Sequence, residues 1–114
     1  MRIISGVHKG KKIQAPKNLP IRPTTDRAKE SLFNILENRY IFKNKKILDL
    51  FSGSGNISFE FSSRANVNIT AVDNNINCIE FIRKLNKELN YSITSVQSDC
   101  LDYINNTNEK FDIV

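Results

Sequence analysis

Apolar positions recur along this chain in two rhythms. Residues 75–90 carry Ile76, Ile79, Phe81, Ile82, Leu85 and Leu89 at helical intervals, which predicts an amphipathic helix. Residues 24–39 repeat that spacing, with Ala28, Leu32, Ile35, Leu36 and Arg39 forming the stripe and Phe33 beside it. Thr24 or Thr25 is placed to cap this helix, and Asp26 and Glu30 suit the positive end of its dipole. Shorter apolar runs at 46–50, 68–72, 91–96 and 111–114 read as strands, and residues 56–64 and 100–105 read as helices between them. Strands alternating with helices build a parallel sheet with right-handed crossovers. Upstream, residues 2–5 and 12–15 are β-compatible and flank a loop punctuated by Gly6 and Gly10, which predicts a hairpin. Pro16, Pro20 and Pro23 exclude a helix over 16–23 and predict an extended connection.

The expected fold is therefore α/β. An N-terminal hairpin and helix at 1–45 precede, at 46–114, the first half of a doubly wound parallel sheet. The chain has 114 residues, enough for one core. At 39% hydrophobic and 25% charged residues its composition is that of an ordinary globular domain. No apolar run reaches the length of about 18 residues that a membrane helix needs, and the start has no stretch suited to a signal peptide. A cytoplasmic protein is expected, with no membrane partner. Cys78 and Cys100 fit neither metal-ligand spacing nor a disulfide framework, and they are expected to be buried or half-buried thiols. His8 is the only histidine and has no acid or cysteine close by in sequence, so neither a metal nor a catalytic role is assigned to it.

Charge divides the chain in two. Residues 1–46 hold 12 Lys and Arg against 3 acids, a balance of +9; residues 47–114 hold 5 against 9, a balance of −4. A basic segment interleaved with Gly and Pro favours a polyanionic partner, with affinity that falls as salt rises. Arg2, Lys9, Lys11, Lys12, Arg22 and Arg27 are the candidate nucleic-acid-binding residues.

The densest chemical signal is the run Asp49-Leu50-Phe51-Ser52-Gly53-Ser54-Gly55-Asn56, a strand end, a glycine turn and a helix start. Backbone N–H groups are unpaired at such a point and available to a ligand. A dinucleotide fingerprint would need glycine at position 58, where Ser58 stands, and no G-x-x-x-x-G-K-[ST] phosphate loop is present. The pattern D-x-F-x-G-x-G puts an acid before the glycines, which suits a zwitterionic amino-acid tail and would repel a pyrophosphate. Asp73 falls at the next predicted strand end, 18 residues after Gly55, where a carboxylate can accept from both hydroxyls of a ribose. Asp99 follows the third predicted strand and can meet an adenine amine; as a lone acid it reads also, and more readily, as a solvated loop residue or helix cap. Asp102 and Asp112 read as surface or capping residues.

The segment R-P-T-T-D-R-A-K-E-S-L-F-N-I-L at 22–36, followed by D-L-F-S-G-S-G at 49–55, resembles the small-subunit ribosomal RNA guanine-N(2) methyltransferases of the RsmD type. The opening R-I-I-S-G at 2–6, with Lys9-Gly10-Lys11-Lys12, is similar to that family's N-terminal hairpin. The resemblance implies a Rossmann-like, S-adenosylmethionine-dependent methyltransferase fold acting on the exocyclic amine of a guanine in 16S rRNA, within the small ribosomal subunit. It implies that Asp49, Phe51, Gly53 and Gly55 hold the methionine part of the cofactor, Asp73 its ribose and Asp99 its adenine. It also implies that residues 22–33 flank the cofactor and face RNA.

The family's catalytic signature, Asp or Asn followed by Pro-Pro and an aromatic, occurs nowhere in the 114 residues and is expected after Val114. The expectation is thus a truncated methyltransferase, weak or inactive alone, with an open sheet edge awaiting a partner or a missing segment. A non-catalytic RNA-binding module and a methyltransferase for another nucleic acid are the alternatives.

Overall fold

The computed structural model describes residues 1–22 and 24–114; Pro23, one of the three prolines expected to extend residues 16–23, lies outside the described residues. The elements run α1 (Asp26–Arg39), β1 (Lys46–Asp49), α2 (Asn56–Arg64), β2 (Asn68–Asp73), α3 (Ile76–Leu89), β3 (Thr94–Gln97) and α4 (Cys100–Asn106). The strands form a parallel sheet in the order β1-β2-β3, with Ile47 opposite Ile69 and Ala71 opposite Ser95. A parallel bridge from Ile47 to Ile113 lays the segment 111–114 on the other side of β1. The winding direction therefore reverses at β1, as in doubly wound sheets.

β1 and β2 are covered on both faces, burying Ile47, Leu48, Ile69, Ala71 and Val72, as expected where helices flank a parallel sheet. α3 buries Ile79, Ile82, Leu85 and Leu89 of its predicted stripe together with Cys78, while Phe81 is half-buried and Ile76, in the first turn, is exposed; Asn75 caps the helix by accepting from the Asn77 and Cys78 amides. β3 begins later than the expected residue 91. Tyr91 N–H donates to the Asn86 carbonyl and Ile93 N–H to the Asn86 side chain, so residues 91–93 finish the end of α3 before a strand can start.

α1 corrects the predicted stripe. Thr25 caps it through the Ala28 amide, as expected, but the face turned to the body is Lys29 and Phe33, with Leu36 half-buried. Leu32 (40% exposed) and Ile35 (54%) face outward, and Ala28 is exposed. Two side chains rotate the helix away from its apolar stripe. Phe33 seats against the rings of Phe61 and Phe42, at 4.7 and 6.2 Å, and Lys29 reaches a buried carboxylate.

That carboxylate is Glu60 on α2. Lys29 is 1% and Glu60 0% exposed, with 3.1 Å between Nζ and Oε1. Arg64 Nε closes the other side of Glu60 at 2.7 Å, and its Nη1 reaches Glu37 on α1 at 2.8 Å. Glu60 also accepts from the amides of Ile4 (2.9 Å) and Ser5 (3.1 Å). Burial pushes the Glu60 carboxyl up, but the Ile4 amide, Arg64 and Lys29 together outweigh it and hold the group below its ordinary range. A charge this deep persists only because every lone pair is engaged.

The same bonds shorten the predicted hairpin, which pairs residues 1–3 with 10–13 through Ile3 N–H to the Lys11 carbonyl, Gly10 N–H to the Ile3 carbonyl and Ile13 N–H to the Met1 carbonyl. Among the described residues it forms a single antiparallel bridge, Arg2 to Lys12, because the amides of Ile4 and Ser5 turn to Glu60. Ile3 and Ile13 nevertheless enter the common core with Phe33, Phe42 and Phe61. Gly6, at φ +93°, lies so close to α2 that a Cβ would sit 1.9 Å from the Ser63 carbonyl. Only glycine permits this approach. The connection after the hairpin is not uniformly extended either: residues 17–19 turn, with Leu19 N–H bonded to the Pro16 carbonyl, which buries Leu19.

Candidate functional site

Asp49 ends β1 and Asp73 ends the neighbouring β2, so parallel register sets both carboxylates on one rim of the sheet. Between them the chain turns through residues 50–55 into α2. Gly55 takes φ +83° and starts α2 without a side-chain cap. A Cβ there would meet the Phe59 ring at 2.7 Å, so glycine is required both by backbone conformation and by space. Of the first amides of α2, Ser58's is turned to Asp49 and those of Asn56 and Ile57 are left available, at the positive end of the helix dipole.

These parts line one cleft of about 380 Å³, within the range of small-molecule sites. Asp49, residues 51–54 and Asp73 to Asn75 form one wall; Met1, Ala15, Ile21, Arg22 and Thr24 of the N-terminal segment form the other. The sequence-predicted Asp49, Phe51, Gly53 and Asp73 thus come together, with Gly55 just behind, and Arg22 of the basic set joins them. A larger hollow of about 680 Å³ lies between the sheet and α4, lined by Thr70, Val96, Tyr103 and Phe111 among others. It contains none of the predicted site residues.

Each carboxylate is held. Asp73 Oδ2 accepts from the Gly53 amide at 2.9 Å and Oδ1 from the Asn75 amide at 2.9 Å. One acceptor position on each oxygen remains for a ligand. Asp49 Oδ2 accepts from the buried Ser58 hydroxyl at 2.7 Å. Burial raises the Asp49 carboxyl above its ordinary range; the Ser58 bond opposes this, and the nearby Asp73 charge reinforces it. The cleft is thus a negative, partly desolvated site with helix-start amides beside it, chemistry that favours a ligand carrying a cation and an anion close together. Cys78 lines the floor, and burial, with help from Asp73, raises its thiol.

Asp99 lies outside the cleft lining. Its Oδ1 caps α4 by accepting from Leu101 and Asp102 at 2.9 and 3.1 Å. Its neighbour Ser98 is tied to the Asp73 carbonyl at 3.0 Å, which keeps the two strand tips adjacent. Phe51 stands at the mouth, 81% exposed. Arg2, Lys9, Lys11, Lys12, Arg22 and Arg27 are all exposed, and Arg2 pairs with Asp26 at 3.2 Å. Lys84 of α3 adjoins Lys11 and Lys12, an extension of the basic surface that no sequence pattern announced. Ser58 and Asn56 were also unanticipated as site residues. Their only sequence signal is that they interrupt the glycine-helix pattern with polar groups. Among the described residues no group of acids, histidine and cysteines forms a metal cage, and no helix is long and apolar enough to cross a membrane.

A family model described as "Conserved hypothetical protein 95" matches residues 1–114. The chain is 38% identical over 115 residues to the "Ribosomal RNA small subunit methyltransferase D" of Buchnera aphidicola from Acyrthosiphon pisum, covering 98% of this chain and 59% of that protein. Its fold superposes with TM-score 0.80 and 31% identity on a solved Escherichia coli structure described as "Putative methyltransferase", covering 91% of this chain and 56% of the other. A Haemophilus influenzae structure described as "putative methylase" gives TM-score 0.74 at 29% identity, over 98% of this chain and 61% of the other. The chain spans about half the length of the curated relatives it matches.

Proposed function

The chain belongs to the RsmD-type family of small-subunit ribosomal RNA methyltransferases, and on that premise we propose that its cleft binds S-adenosylmethionine for methyl transfer to a guanine amine of 16S rRNA. The observation that carries this reading is the meeting of Asp49 and Asp73, from neighbouring strand tips, around an uncapped helix start. In this reading Asp49 faces the cofactor's ammonium, and the amides opening α2, with the Gly53–Gly55 turn, face its carboxylate. Asp73 offers its two remaining acceptor positions to the ribose hydroxyls. Asp99 meets the adenine amine with Oδ2, since Oδ1 is taken by α4. Phe51 covers the bound cofactor at the mouth. The residues fit the cofactor on chemical grounds: its charges are a cationic sulfonium and a zwitterionic tail, and the site pairs acids with helix-start amides.

The cofactor, when bound, supplies a methyl group on a positively charged sulfur. The protein then has mainly to align the accepting amine with that carbon. The basic arm, from Arg2 through Lys9, Lys11 and Lys12 to Arg22 and Arg27, is proposed to hold rRNA. The Asp/Asn-Pro-Pro-aromatic signature that would receive the amine and stack the base is absent from residues 1–114. Methyl transfer by these residues alone is therefore expected to be weak or absent. The side of residues 111–114 turned away from β1 is proposed to take a further strand, in line with exposed Val114.

Calorimetric titration with S-adenosylhomocysteine tests the cofactor reading. Binding is expected, and its absence at millimolar ligand overturns it. Binding of rRNA without the cofactor would instead favour an RNA-binding module. Tritiated methyl transfer to undermethylated 30S particles tests the activity, and robust turnover by residues 1–114 would overturn the expectation that a further segment is needed.

Two further results are expected. Because Asp49 must be ionised to pair with the ammonium and its carboxyl is raised, affinity for S-adenosylhomocysteine should fall as the pH drops through that raised value. Near it, binding should release a proton, measurable by titration in buffers of different ionisation enthalpy. Asp49→Asn should remove this pH dependence. For a nucleic-acid partner, each phosphate contact contributes about 0.7 (single strand) to about 0.9 (duplex) to the slope of log affinity against log salt. Lys11→Gln with Lys12→Gln should flatten that slope by about 2, read by filter binding across a salt series; an unchanged slope excludes these two lysines from the interface.

A further inference from the structure

One side chain that the cofactor reading does not use sits at the junction of the arm, α1 and α2. Lys29 Nζ donates to the Arg2 carbonyl in the arm, to Asn56 Oδ1 at 2.8 Å, and pairs with Glu60. Asn56 is the first residue of α2, lines the cleft, and returns a bond from Nδ2 to the Thr24 carbonyl at 3.4 Å in the opposite wall. Glu60 in turn holds the arm by the amides of Ile4 and Ser5. A buried ammonium at the junction of arm, α1 and α2 is costly unless it is fully bonded, and its three donors have these three acceptors. The arm therefore docks in the position that gives the cleft its second wall, or Lys29 and Glu60 are left short of partners.

We infer that Lys29 is a positioning residue that couples the RNA-facing arm to the cofactor cleft, so that filling the cleft tightens the arm and docking the arm tightens the cleft. This rests on the cofactor assignment proposed above. It goes further by making cofactor and RNA affinities reciprocal, as any linkage between two sites requires. The amides of Ile4 and Ser5 are suitable reporters, because they bond to Glu60 and stand outside the cleft lining.

The test is amide hydrogen exchange of the 114-residue chain with and without saturating S-adenosylhomocysteine, in samples whose binding is followed by calorimetry. Exchange at Ile4 and Ser5 is expected to slow at least about fivefold on saturation, the lower end of typical site-to-site coupling. Lys29→Met should lose that protection and weaken binding, and Lys29→Arg should restore both. If Lys29→Met does not fold, the wild-type exchange measurement decides alone. Exchange at Ile4 and Ser5 indifferent to bound ligand overturns the coupling while leaving the cofactor assignment intact. Protection retained in a folded Lys29→Met chain does the same. A wild-type chain that binds no S-adenosylhomocysteine overturns both.

Discussion

Glu60→Ala is expected to destabilise the chain by about 3–5 kcal/mol, the cost of breaking a buried ion pair from one side. The loss comes from what is stranded rather than from one missing contact. Lys29 keeps its charge at 1% exposure with two carbonyl acceptors and no counter-charge. Arg64 keeps only Glu37, and the amides of Ile4 and Ser5 lose their acceptor. Against a total stability of about 5–15 kcal/mol for a domain, this leaves a marginal protein. Thermal unfolding followed by circular dichroism should show the midpoint falling by more than about 10 °C, and a fall equivalent to less than about 1 kcal/mol would contradict the network's role.

The pH dependence has a definite sign. The folded Glu60 carboxyl is held below its ordinary value of 4.5. Its stabilisation is complete above that value and is lost as pH falls through the lower folded one. Glu60→Ala should lack this part of the acid-unfolding curve, and Glu60→Gln, which keeps one acceptor for an amide, should fall between the two.

Asp73→Ala should weaken S-adenosylhomocysteine binding at least about 100-fold. Two hydrogen bonds from ribose hydroxyls to a carboxylate would be lost, each of order 1.5–3 kcal/mol. The same substitution frees the Gly53 and Asn75 amides, so the glycine turn also loses the anchor that shapes it. The fold should survive, because Asp73 is half-exposed at the rim and the sheet pairing of β2 is made by its backbone. Calorimetry beside a circular-dichroism melt separates the two effects. A folded Asp73→Ala chain that binds the ligand like wild type would remove the ribose assignment. Binding of rRNA should be unaffected by the substitution except through the Lys29 coupling.

The amino-acid sequence was most readable where structure is local. The period of α3 fell largely on the residues the core takes, Ile79, Ile82, Leu85 and Leu89, since one helix face met one sheet face; Ile76, in the first turn, stays exposed. α2 begins and ends at the residues expected, with Gly55 at its start and an extended Ala65 at its end. α1 was misread for a specific reason. Its apolar stripe and its buried face differ, and a lysine that sequence logic assigns to solvent is its most deeply placed polar residue. Nothing near Lys29 in sequence signals Glu60, which lies 31 residues away on another helix.

By itself, then, the sequence determined the alternation of strands and helices, the glycine turn, and the delivery of Asp49 and Asp73 to strand ends. These follow from side-chain periodicity and backbone conformation, which act over a few residues. Only the tertiary structure decided which face of α1 is buried, that Ser58 restrains Asp49, and that the basic arm forms a wall of the cleft. Each of those depends on contacts between different elements, above all on pairing a buried polar group with a partner outside its own element. The energy of such a pair appears only when folding removes water from both members, and no local pattern records it.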